Sequence, residues 1–319
     1  MKKVWRVLLF SMILIACVGC AKAPNSEMNS QQAKENSYQI GIGSGAGNRW
    51  GENRYKKLKE MGYDYLDFNM CNTDTAYYTG TQEERDAAIL AEKELIDEAD
   101  LVVHQVHGPF RWPICDGTEA ERAERMEKMK WSLRNTYLLE CEYWVIHPIM
   151  PFDWQERITN PGCEQQTWDI NLAFFKELLV TAKEYGITIC LENMPMPDFS
   201  IGSAEEILRF VQEMNDENFK VCFDTGHAAV YENQNVGDAI RLLGDEIRVL
   251  HVNDNDGKGD RHWLPYEGVV DWEDVTKALK DINYQGVFNY EATPSADFAD
   301  ADYERMCLTM IKMAKTIID

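Results

Sequence analysis

The chain has 319 residues, and 32 lysines and arginines against 54 aspartates and glutamates leave a formal net charge of −22. A surface that acidic repels nucleic-acid phosphates and gains nothing from counterion release, which argues against a nucleic-acid partner. Nine cysteines are scattered along a chain of this length without tight spacing, so a small disulfide scaffold is excluded too.

The N-terminus opens with Lys2, Lys3 and Arg6, followed by an apolar run from Val7 to Ile15 that is too short to span a bilayer. This pattern predicts an export signal over 1–20, with an uncleaved membrane anchor as the alternative. Leu14-Ile15-Ala16-Cys17 and Val18-Gly19-Cys20 both resemble a bacterial lipoprotein signal. The resemblance implies a lipid on Cys17 or Cys20, and acyl chains would hold the exported protein on the cell membrane. Residues 21–37 are polar and without periodicity, as a tether requires.

From residue 38 to 319 strand-like and helix-like segments alternate. Short apolar, β-branched or aromatic runs lie at 38–43, 64–69, 101–107, 143–147, 187–192, 219–224, 246–252 and 286–291. Helical spacing fills Thr81 to Ala99, Glu119 to Leu139 and Trp168 to Tyr185; Ser203 to Met214 opens on Ser203-Ala204-Glu205-Glu206, a capping-box pattern. Eight strands separated by helices predict a parallel sheet closed into a single (β/α)8 barrel, which typically takes ~250 residues. An open doubly wound sheet is the competing fold. It is weakened because Gly41, Gly43, Gly45 and Gly47 alternate without the dinucleotide-binding spacing. Cys190 and Cys222 fall inside apolar runs and read as small core residues, whereas Cys71, Cys115 and Cys163 fall in apparent loops.

In such a barrel the active site lies at the C-terminal strand ends. Strands three to eight finish at His107, His147, Glu192, Asp224, His251 and Glu291, with His227 three residues beyond Asp224. Side chains two apart share a face, so Cys190 and Thr188 lie below Glu192, Cys222 below Asp224, Val145 below His147 and Val249 below His251. The polar ends are therefore expected to point inward at one rim. Asp260, Arg261 and His262 belong to the loop above strand seven, where Gly257 and Gly259 permit it to fold back. Imidazoles and carboxylates converging there suit a divalent metal, and the glutamates could move protons beside a polarised carbonyl. His104 has the opposite parity to His107 and is expected to face the helices. Trp112, Trp154 and Trp263 lie in apparent βα loops, where they stack on a sugar ring or serve as ordinary packing.

HGPF, IHP, LEN, FDTGH, LHVNDNDGKGDRH, GVVDW and the final YE follow one another as in the xylose-isomerase-like TIM barrels, which the chain resembles over residues 38 to 317. That superfamily includes sugar phosphate isomerases and epimerases, ketose 3-epimerases and endonuclease IV. The resemblance implies a divalent metal (Mn, Zn, Co or Mg) held by Glu192, Asp224, His251 and Glu291. It also implies that Glu192 and Glu291 form an acid/base pair that moves a proton through an enediolate, with His227 contacting substrate. His107 and His147 match positions near the substrate. His107, His147, His227, Asp260 and His262 also match further zinc ligands of endonuclease IV.

Three readings follow. The first is a metal-dependent isomerase or epimerase. Export favours a free sugar, keto-sugar or glycoside over a phosphorylated one, and elimination from a keto-glycoside is a close variant. The second is a phosphodiesterase of endonuclease IV type, against which the charge and the export signal weigh. The third is a non-catalytic, carbohydrate-binding surface lipoprotein, against which the paired carboxylates weigh.

Overall fold

The computed structural model describes residues 39–110, 116–231 and 235–318. The expected signal at 1–20, the tether at 21–37, both candidate lipidation cysteines, Trp112 and Cys115 lie outside these residues. Among the described residues no helix is long and apolar enough to cross a membrane.

The described residues form eight strands: β1 Ile40–Gly43, β2 Tyr65–Asn69, β3 Val102–His107, β4 Tyr143–Ile146, β5 Thr188–Glu192, β6 Phe219–Asp224, β7 Ile247–His251 and β8 Phe288–Tyr290. Each pairs in parallel with its sequence neighbour from β1 to β7, and β1 also pairs with β8. The ring closes through a parallel bridge between Val252 and Tyr290, where the Val252 N–H donates to the Asn289 carbonyl at 2.8 Å. The barrel read from the sequence is thus the fold observed.

The helices are α1 Arg54–Met61, α2 Gln82–Glu98, α3 Glu119–Leu138, α4 Trp154–Thr159, α5 Cys163–Glu184, α6 Ala204–Met214, α7 Thr225–Ala228, α8 Val236–Leu243, α9 Trp272–Asp281 and α10 Asp300–Ile318. Four of them start on a complete capping box, at Thr81/Glu84, Thr118/Glu121, Asp153/Glu156 and Ser203/Glu206. Each box satisfies backbone N–H groups that the first helical turn leaves unpaired. Helix α5 starts five residues before the expected Trp168, so Cys163 is a buried first-turn residue rather than a loop residue. Cys71 and Cys163 carry free thiols.

Two hydrophobic layers result. The larger packs helices against the outside of the barrel through residues such as Trp144, Phe175, Phe210, Phe223 and Tyr290. The smaller fills the barrel itself with fully buried Val145, Cys190, Cys222 and Val249, with Tyr143 packed against them. These are the residues expected two positions below the polar strand ends.

One parity argument fails. Pairing between β2 and β3 steps from Leu66–Val103 to Asp67–Gln105, so β3 carries an extra residue, His104, in a bulge. The bulge turns the imidazole away from the helices. Its ring meets Tyr65 at 5.9 Å and Tyr143 at 5.5 Å, both of inward parity. Burial pulls the His104 pKa down to about 4, against the opposing charge of Asp67.

Candidate metal centre and active-site cavity

One pleat step above the apolar plug, the inward face becomes ionic. Glu192 and Asp224 end β5 and β6, His251 ends β7, and Glu291 follows β8 by one residue. One ligand atom of each lies within 4.8 Å of the others. Glu192, Asp224 and His251 are fully buried. Glu192 Oε1 sits 2.9 Å from His251 Nδ1, and Glu291 Oε1 sits 3.7 Å from the same nitrogen.

Two further groups flank this quartet. His107 Nε2 and His147 Nε2 approach Glu192 Oε2 at 3.5 and 3.1 Å. On the other side His227 Nε2 lies 3.5 Å from Asp260 Oδ2, and His262 Nε2 lies 2.8 Å from Asp260 Oδ1. Both trios, His107/His147/Glu192 and His227/Asp260/His262, have donor atoms close enough for a shared ion. Glu192 belongs to the first trio and to the quartet.

The imidazoles are oriented from behind. His107 Nδ1 donates to the Gly108 carbonyl at 3.0 Å and His227 Nδ1 to the Asn193 carbonyl at 2.7 Å. His251 Nε2 is held at 2.9 Å by Asp67 Oδ2, which also accepts from Gln105 Nε2 at 3.1 Å. In the unloaded site, neighbouring acidic groups hold these imidazoles above their usual range. With a cation bound, the acceptors would keep the proton on the outer nitrogen and leave the inner one to ligate, as metal-binding histidines require.

Asp67 escaped the sequence reading because β2 ends two residues later, at Asn69. Its signal was an acidic residue of inward parity inside an apolar strand. Asn253 was missed as well. Its amide donates to Asp224 Oδ2 at 2.6 Å and to Glu291 Oε2 at 3.1 Å, linking two of the carboxylates. A side chain on Gly226 would collide with Asn253, its Cβ falling 1.8 Å from Oδ1, so glycine is required there for close approach. Asp224 Oδ1 caps the turn of α7 through the His227 N–H, and Asn193 pairs with the Asp224 backbone in both directions.

Three carboxylates this close, two of them fully buried, cannot all stay ionised side by side without compensation. Burial, with Glu291 and Glu192 nearby, pushes the Asp224 carboxyl well above its usual range. Burial opposes ionisation of Glu192 too, but His251 and His147 hold it well below the usual range. His227 is raised to about 10, because Asp224 and Asp260 outweigh its burial. Glu192 Oε2 is buried and carries no aligned hydrogen bond among the described residues, although His147 lies near it. His147 Nδ1 and Asn253 Oδ1 are buried without a hydrogen bond among the described residues, and His227 Nε2 has only the 3.5 Å approach of Asp260 Oδ2. Mixed carboxylate and imidazole donors, orphaned atoms and excess negative charge all fit a divalent cation held by Glu192, Asp224, His251 and Glu291.

Above the quartet opens a cavity of about 590 Å³, within the roughly 300–1,000 Å³ range of small-molecule sites. His107, His147, His227, Asp260, His262 and Glu291 line it. Glu192 does not: it lies beneath the three imidazoles of His107, His147 and His227. Arg261 points elsewhere, pairing with Asp256 at 3.1 Å. Trp154 and Trp263 are exposed and do not line the cavity.

Asp254 builds the loop that carries Asp260 and His262. Its fully buried carboxylate accepts from the backbone N–H groups of Asn255, Tyr266, Gly268 and Val270 and from Trp272 Nε1, all at 2.9–3.1 Å.

Residues 55–307 match the family described as "Xylose isomerase-like TIM barrel". A D-psicose 3-epimerase of Enterocloster bolteae is 25% identical over 232 residues, 72% of either chain. An uncharacterized protein of Methanocaldococcus jannaschii is 29% identical over 202 residues, 61% of this chain and 64% of that one. Among solved structures, a D-psicose 3-epimerase of Clostridium cellulolyticum with D-tagatose superposes with a TM-score of 0.70 at 18% identity, covering 88% of this chain and 99% of that one.

Proposed function

The chain belongs to the xylose isomerase-like TIM barrel family, and on that premise we propose that it is a metal-dependent sugar isomerase or epimerase acting on a free sugar, keto-sugar or glycoside. The observation that carries this reading is the convergence of Glu192, Asp224, His251 and Glu291 beneath a cavity of small-molecule size. The relatives named as D-psicose 3-epimerases support it.

A divalent cation at the quartet would supply Lewis-acid polarisation of a substrate carbonyl, lowering the pKa of the adjacent C–H. The chain's own groups do the rest. Glu291 opens on the cavity, and its carboxylate takes the proton from the carbon beside the carbonyl. Glu192, ionised in the resting site, is the second carboxylate of the pair and relays to the carbon, through Oε2, a proton drawn from the neighbouring His107 imidazolium 3.5 Å away, which is recharged from solvent. Its route to substrate runs past His147, so that imidazole must shift from its 3.1 Å position as substrate enters. His227 and His262, held above the usual imidazole range by neighbouring carboxylates, line the cavity and can donate to substrate oxygens where negative charge develops. The reading is tested by incubating protein lacking residues 1–20 in D₂O with ketoses, aldoses and 3-keto-glycosides. The protein is loaded with Mn²⁺, Zn²⁺ or Co²⁺, or stripped with chelator. Metal-dependent deuterium uptake beside a carbonyl supports it; no uptake in metal-loaded protein removes it.

The two flanking trios favour a second reading, a phosphodiesterase that uses more than one cation. No lysine or arginine lines the cavity among the described residues to receive a phosphate, and the net charge of −22 opposes a polyanion. Cleavage of an abasic-site duplex by the metal-loaded protein would reverse that preference. We also propose that the protein is exported and lipid-anchored at Cys17 or Cys20. Labelled palmitate should enter the wild-type chain in bacterial cells and be lost in one of the variants Cys17→Ala and Cys20→Ala.

A further inference from the structure

The cavity has two unlike sides. The inner side is ionic and belongs to the strand ends. The outer wall is formed by Phe110 after β3, Met150 after β4, and Met194, Pro195 and Met196 after β5. None of these five side chains can donate a hydrogen bond, and only the thioethers accept one, weakly.

The wall is fixed at its backbone. The Tyr231 hydroxyl donates to the Met194 and Met196 carbonyls at 2.8 and 3.2 Å. The Met194 N–H donates to the Gly202 carbonyl at 3.1 Å and the Met150 N–H to buried Asp116 at 3.0 Å. Phe110 packs edge-on against His147, with ring centroids 4.6 Å apart, so the wall begins where the ionic floor ends. Methionine side chains on a held backbone make a surface that adapts to flat apolar groups and favours sulfur–aromatic contact.

A second polar sugar ring against this wall would lose water from its hydroxyls and find no partners for them. A phosphate or carboxylate there would meet no lysine or arginine among the described lining residues. We propose that Phe110, Met150, Met194 and Met196 form a subsite for the apolar aglycone of an uncharged glycoside, with the sugar ring directed to the carboxylates. The inference rests on the sugar-directed reading of the site and narrows its substrate class to keto-glycosides with an aryl or similarly apolar aglycone, whose ring ketone supplies the carbonyl; unoxidised glucosides serve as non-reacting binding probes.

The test measures binding of 4-nitrophenyl and methyl D-glucosides, in both anomeric forms, to Mn²⁺-loaded protein by calorimetry. One anomer of the aryl glycoside is expected to bind at least tenfold tighter than its methyl counterpart. In the double variant Met194→Ala/Met196→Ala that ratio should fall toward one. A second variant, Met150→Lys, should lower the ratio in the same direction without emptying the wall. Equal affinities, or no binding of either glycoside, overturn the proposal. Deuterium uptake into the ketoses, aldoses and 3-keto-glycosides is measured on the same samples. Aryl preference without uptake keeps the subsite and removes the epimerase reading; uptake without aryl preference does the reverse.

Discussion

Strands β4 to β7 present two layers to the barrel axis, one pleat step apart. Val145, Cys190, Cys222 and Val249 form the lower layer and pack together without a polar side chain. His147, Glu192, Asp224 and His251 form the upper one, and three of them converge on a candidate cation position. The same backbone geometry places both layers, so the difference lies in chemistry alone. The lower layer contributes burial. The upper layer gathers buried charge at a cost in stability, which a bound cation would offset. A barrel can carry such a site because the plug beneath it holds the strand ends at fixed spacing.

Changing the upper layer should cost activity and spare the fold. Glu192→Gln is expected to lower turnover by about 10²–10⁴-fold, the range for a lost general acid or base. Its circular dichroism should match wild type, and full activity in that variant would end the proposed role. Stability should respond instead to a group near the floor of the barrel. His104 has a folded pKa of about 4, below its unfolded value of about 6.5. Burial favours the neutral ring, so its contribution is complete above pH 6.5 and is lost as pH falls from 6.5 toward 4. The loss amounts to about 3 kcal/mol at most. Urea midpoints at pH 7, 5.5 and 4 should fall more steeply in wild type than in His104→Phe; parallel profiles would remove the claim.

Smaller effects refine the boundary between the layers. Asp67 lies at the cavity lining and holds His251 through its Nε2 at 2.9 Å. Asp67→Asn should weaken Mn²⁺ or Zn²⁺ affinity about 10–100-fold, read by competition with a chromophoric chelator; unchanged affinity would mean that packing alone fixes the ring. Val249→Ala, one pleat step below His251, removes two buried methyl groups and should cost about 1.5 kcal/mol. Metal affinity in that variant should stay close to wild type. A tenfold loss would mean that the plug tunes the site directly.

Much of this arrangement was legible in the sequence, for identifiable reasons. The period of two along a strand placed Cys190 below Glu192 and Val249 below His251 before any coordinates. The run of strand-terminal His, Glu and Asp marked the rim. Parity failed at His104 because a bulge inserts one residue into β3, and nothing in VVHQVH announces it. Asp67 and Asn253 were missed because neither ends a strand, and their roles depend on partners 184 and 38 residues away. The reading of Glu192 and Glu291 as equals also needed depth: Glu291 faces the cavity, and Glu192 lies beneath three imidazoles. Arg261 illustrates the reverse, since proximity to Asp260 and His262 in the chain did not carry its side chain into the cavity.

By itself the sequence determined the element order, the barrel and the strand-end chemistry, since alternation, capping pairs and apolar spacing act over a few residues. The tertiary structure alone decided which acids share a centre, which one meets the cavity, and that the outer wall is apolar. Those properties arise where loops and strands distant in the chain meet, and local periodicity carries no information about which distant residues will do so.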